Sequence, residues 1–164
     1  MRPSRWNRGA WIWATLAAGT VLQIACTVSG AAKSPPDLRA ILEQPFVAVK
    51  TWGELPADLR AALAAHWGED SRIADPGQPF QETDVVMGKP LPWRRLVFAA
   101  RSGKTCVIVY EHGGIELSSH LVVSPYGDAR LGHFVLNPPA PKDVAELRAR
   151  SQSKARWYFA AENY

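Results

Sequence analysis

Only two cysteines and four histidines occur in the 164 residues. Cys26 lies in an N-terminal leader, so Cys106 alone would remain in the processed chain. One cysteine forms no internal disulfide, so the fold is not disulfide-stapled. Cys106 reads as a small buried hydrophobe. An excess of one charge sign is also lacking. The whole chain carries +4, but Arg2, Arg5 and Arg8 belong to the leader, and without them sixteen basic residues face fifteen acidic ones. That near balance removes the electrostatic case for a nucleic-acid partner. No apolar run reaches the ~20 residues of a membrane span. Walker loop, dinucleotide fingerprint, His-Glu-x-x-His and Cys-x-x-Cys motifs are all missing, and no cofactor is implied. There is no internal repeat and no low-complexity run.

What is present begins with that leader. Three arginines precede an apolar run from Ala10 to Cys26, and Ser29-Gly30-Ala31-Ala32 follows. Positive flank, hydrophobic centre and small-residue exit are the parts of a secretory signal peptide. Cleavage after Ala32 is expected, with Gly30 or Ala25 as alternative sites. Leu22-Gln23-Ile24-Ala25 before Cys26 is a partial lipobox, so Cys26 is a candidate for lipidation. The expected organisation is a signal peptide over 1–32 and one domain over 33–164. The expected location is periplasmic or secreted, with a membrane involved only if the leader is retained or Cys26 is lipidated.

About 130 residues suffice for one core. Ser34-Pro35-Pro36-Asp37 predicts a helix to Glu43, with Ser34 as its cap and Leu38, Ile41 and Leu42 on one side. Phe46–Lys50 predicts a short strand. Pro56 and Gly68 bracket a second helix, whose stripe is Leu55, Leu59, Ala62, Leu63 and His66. In that stripe His66 reads as a boundary histidine. Glu69 to Trp93 reads as a long loop, with Thr83–Met87 as an edge strand and Glu82 and Asp84 as surface carboxylates. Leu131–Leu136 predicts a fourth meander strand, and Lys142–Ser151 a closing helix with Val144 and Leu147 inward. Trp157, Tyr158 and Phe159 in the tail are expected to dock the sheet.

The centre is Arg94 to Val123, three β-branched-rich strands. Ser102-Gly103 and Gly113-Gly114 read as two-residue hairpin turns. That register puts Phe98 opposite Val107, Leu96 opposite Val109, Glu111 opposite Glu116, and Val107 opposite His120. One face then carries Cys106, Ile108, Tyr110, Leu121 and Val123, and should pack under the second helix. The other mixes Leu96, Phe98, Val107 and Val109 with Glu111, Glu116, Ser118 and His120. The fold class is therefore α+β: an antiparallel meander of about four strands packed by N-terminal and C-terminal helices.

Two chemistries follow from this register. Cross-strand Glu111 and Glu116 repel unless a cation or proton lies between them, and His120 lies near, so these three are the weak catalytic candidates of a metal-dependent or acid/base hydrolase. A serine triad among Ser118, Ser119, His120 and Glu116 is not expected, because strand neighbours alternate faces and no Gly-x-Ser-x-Gly elbow exists. Arg148, Arg150, Lys154 and Arg156 read as the solvated side of a helix. The leading functional expectation is a binding module of the cell envelope. Its surface would be the mixed sheet face, with Phe98, Ser118 and His120, together with the Glu69–Trp93 loop. Its partner would be an unidentified envelope protein or ligand.

Overall fold

Pro56 and Gly68 bracket the helix as expected. The helix α2 spans Ala57–Trp67, and Gly68 terminates it at φ 73°, in the region where glycine meets no Cβ penalty. This computed structural model describes residues 37–125 and 131–152, and the backbone of 158–159. They belong to one compact unit. The helix α1 (Leu38–Leu42) is capped by Asp37, whose carboxylate accepts from the Arg39 and Ala40 amides. The expected cap, Ser34, lies outside the described residues. The strand β1 (Val47–Val49) and a 3-10 turn at Trp52–Glu54 lead into α2.

The short strand β2 (Ile73–Ala74) precedes the meander, which runs through β3 (Arg94–Ser102), β4 (Thr105–His112), β5 (Ser118–Pro125) and β6 (Gly132–Leu136). The helix α3 (Val144–Gln152) and the strand β7 (Tyr158–Phe159) close the chain. The sheet order is β1-β3-β4-β5-β6-β7, with β2 parallel to the other end of β3. The fold is thus α+β around an antiparallel meander. Of the tail aromatics, Tyr158 and Phe159 join through the backbone of β7 at the β6 edge, and Trp157 lies outside the described residues. The expected strand at Thr83–Met87 is reduced to one bridge, Thr83 with Gly114.

The register departs from the expected one in three places. Ser102 pairs with Thr105, so Gly103 and Lys104 form the first turn, with Gly103 at φ 52°. A bulge at Val97 places Leu96 opposite Tyr110 and Phe98 opposite Val109. The largest departure is at the glycine pair. His112 pairs with Ser118, so the connector runs from Gly113 to Leu117. Gly113 makes a close crossing instead of a hairpin turn: a Cβ there would come within 1.8 Å of the Gln81 carbonyl oxygen. Its amide donates to Trp93 O at 2.9 Å, and the Gly114 amide to Glu82 O at 3.3 Å. Val109 therefore faces Leu121 and not Ser118, an odd shift that exchanges the two faces of β5.

Both sheet faces are covered. On one, Leu55, Leu59 and Leu63 pack on Leu96, Ala99, Cys106, Ile108, Tyr110 and Val122. On the other, Leu42 and Leu147 pack on Val107, Val109, Leu121, Val123, Phe134 and Leu136, with Phe98 beside them. The mixed face is thus a second core beneath α1 and α3. The two helices are tied by Arg148, whose guanidinium donates to Leu42 O (2.9 and 2.6 Å), and by Arg39, which donates to Ser151 O (3.0 Å). These bonds satisfy carbonyls that a helix end leaves without partners.

Candidate functional site

Strand alternation and the exchanged register of β5 bring Ser118 and His120, two residues apart, onto the α2 side with Tyr110. The strand β6 adds His133 opposite Val122. The result is a chain of polar contacts inside an otherwise apolar face. Ser118 Oγ lies 2.8 Å from His120 Nε2. His120 Nδ1 lies 2.9 Å from His133 Nε2, and the Tyr110 hydroxyl lies 3.4 Å from that same nitrogen. Tyr110 stacks on His120, with ring centroids 4.9 Å apart and planes 11° apart.

The other two histidines border the chain: His66 meets His133 edge-on at 5.7 Å, and His112 meets His120 at 6.1 Å. All four histidines of the protein therefore gather on one face of one sheet. Trp67 and Arg94 complete the wall, with the guanidinium 4.9 Å from the indole centroid.

The electrostatics favour the neutral form of His120 and of His112. Burial first, then the charges of His133, His112, Arg94 and His66, pull His120 down to about 3. Burial and then Arg94 also lower His112. Burial lowers Arg94 itself, against the compensating pull of Tyr110 and Asp70. A neutral imidazole carries one proton and one lone pair, so the contacts match in two arrangements. In the first, Ser118 donates to His120 Nε2, and His120 Nδ1–H donates to His133 Nε2. In the second, His133 Nε2–H donates to His120 Nδ1, His120 Nε2–H donates to Ser118, and Ser118 donates to His112 O, 3.3 Å away. The two differ in the tautomer of both imidazoles and in the direction of the Ser118 hydroxyl.

The comparisons add no relative. No family model, no curated protein and no solved structure matches this chain.

The sites expected from sequence fare differently. Glu111 lies opposite Ser119, not Glu116, and its carboxylate pairs with Arg95 at 2.6 Å. Arg95 in turn lies over the Phe80 ring at 4.2 Å. Glu116 is exposed in the Gly113–Leu117 connector. Glu111, Glu116 and His120 are therefore not brought together. Among the described residues, no three His, Cys, Asp or Glu side chains are placed to hold a metal ion. Phe98 packs in the second core, on the sheet face opposite His120, while Ser118 and His120 do meet. Cys106 is buried in the α2-side core, and burial pushes its thiol pKa up. Cys26 lies outside the described residues.

The objection to a serine–histidine pair holds only for adjacent residues. Positions two apart share a face, and Ser118-x-His120 had that spacing. His133 and Tyr110 gave no such signal, because their approach depends on the register of two hairpins.

The polar chain reaches the surface at Ser118, directly after Leu117. There two apolar loops meet. Val85, Val86 and Met87 are exposed on one, and Ile115 (96% exposed) and Leu117 on the other. The Thr83–Gly114 bridge joins them, and buried Gln81 fixes the base of the first by donating to Thr83 O (2.7 Å) and Val85 O (2.8 Å).

Proposed function

We propose that this chain is an exported envelope protein that works by binding, and that its contact surface is this loop end of the sheet. The carrying observation is the joining of two separately encoded loops into one exposed apolar end. Among the described residues, five of the six large hydrophobic side chains with high exposure lie on them. Exposed apolar patches of this kind mark interaction sites. Within residues 82–89 and 113–117 the charged residues are Glu82, Asp84 and Glu116 with Lys89. That charge favours a protein segment with apolar side chains and basic flanks. It disfavours an anionic bilayer, whose headgroups the carboxylates repel. The arginine-flanked apolar leader supports export. Blocking lipoprotein signal processing tests the tether at Cys26: an unchanged mature size rules that tether out.

The test is site-specific photocrosslinking in intact host cells. A photoreactive residue at Met87 or Ile115 yields a discrete adduct with an envelope protein, and Leu117→Asp removes it. The same residue at Val47, exposed on β1 away from these loops, yields none. Equal crosslinking at all three positions, or none at the two loop positions, overturns the proposal.

A further inference from the structure

We propose that Ser118, His120 and His133 form a nucleophile, base and orienting group for acyl transfer from carboxylic esters. A nucleophilic serine needs a base within about 2.6–3.2 Å, and that base needs its far ring nitrogen held by a third group. Both conditions are met, at 2.8 Å and 2.9 Å, through opposite nitrogens of one imidazole. The orienting group is a neutral histidine in place of the usual carboxylate. It accepts through Nε2, which requires its own proton on Nδ1. The Tyr110 ring stacks flat on His120 and restricts its rotation.

Ser118 is half-exposed at the mouth of the array, while His133 is buried behind it. A network serving only to pack the core would not need its serine end open to solvent. Arg94 lies on the same side of the sheet, over the Trp67 ring and donating to the Asp70 carbonyl at 2.5 Å.

The step balances without a co-reactant. Ser118 Oγ bonds to the ester carbonyl carbon, and its proton passes to His120 Nε2. The C–O bond to the alcohol breaks, and the alcohol leaves with that proton. Water then attacks the acyl-serine, giving a proton to His120 Nε2, which returns it to Ser118 Oγ as the carboxylic acid departs. Because Leu117 and Ile115 border Ser118, the acyl group favoured is apolar. That preference rests on the contact end proposed above, whereas the nucleophile does not.

The test uses the processed, folded protein with a small fluorophosphonate and with p-nitrophenyl acetate and octanoate. We expect one phosphonyl adduct, on the peptide containing Ser118, absent in Ser118→Ala. His120→Gln slows its formation about a hundredfold or more. Each variant is matched to the parent by its thermal midpoint, so loss of labelling is not loss of fold. An unlabelled parent, or equal labelling in Ser118→Ala, overturns the nucleophile. Octanoate is expected to react about tenfold faster than acetate, and Leu117→Asp to erase the difference, since an apolar contact of this size is worth roughly that factor. Equal rates in the parent overturn the acyl preference and leave the adduct result standing.

Discussion

Leu121 and His120 are neighbours on β5 and enter opposite cores. Leu121 joins Val107, Val109 and Phe134 under α1 and α3, in a core filled by apolar side chains. His120 joins Tyr110, His133 and Ser118 under the end of α2, where rings are ordered by hydrogen bonds as well as by packing. The first face needs only apolar residues of suitable size. The second needs particular atoms in particular protonation states, and buried polar groups are costly when a partner is lost. Cores of the first kind tolerate exchange, so the second carries the chemical information.

The largest effect that tests this contrast belongs to the apolar face. Leu121→Ala should cost about 2–5 kcal/mol in denaturant unfolding, and a smaller loss would mean the face collapses around the cavity. Next comes the crossing that sets the register. Gly113→Ala should cost about 1–3 kcal/mol by forcing the Gln81 backbone away, and should shift amide signals at both Glu82 and His112. Signals unchanged at Glu82 would break the link between the loops.

The polar face should show coupling where the apolar face shows volume. A double-mutant cycle on His120→Leu and His133→Leu should give an interaction of about 0.5–3 kcal/mol, each single change removing the contact between the two imidazoles. Strict additivity would reduce the array to packing.

The same face should be sensitive to acid. His120 is depressed to about 3 when folded and lies near its ordinary value when unfolded. The unfolded chain therefore binds more protons between those values, and stability falls as pH drops below about 6.5. The slope approaches 1.4 kcal/mol per pH unit for one such group. His112, lowered for the same reason, adds in the same direction. Unfolding free energies between pH 7.5 and 5 should show a steeper decline in the parent than in His120→Gln, and equal slopes would remove His120 as the source. The smallest effect is expected at the loop end, where Met87→Ser should change stability by less than about 0.5 kcal/mol.

The elements were legible because local signals and fold agree. Pro56, Gly68 and the Leu59/Leu63 stripe delimit α2, and Val144 and Leu147 identify the buried side of α3. The pairing of the strands was less legible. Gly113-Gly114 has the composition of a hairpin turn, but its glycines serve a contact with Gln81, thirty-odd residues earlier, and short-range patterns do not encode that contact. An odd error there turns β5 over, which is why Glu111 and Glu116 were expected as a pair and Ser118, His120 and His133 were not expected as a chain. The bulge at Val97 moved Leu96 between cores in the same way. The second core was hidden because its cover comes from both ends of the described chain.

That last arrangement governs when the protein can fold during its own synthesis. Arg148 closes onto the carbonyl of Leu42 across 106 residues. Until the C-terminal helix has left the ribosome, α1 has nothing to dock beside and the Leu121 face stays uncovered. By the order of its elements, a nascent chain thus keeps this face open until α3 has emerged.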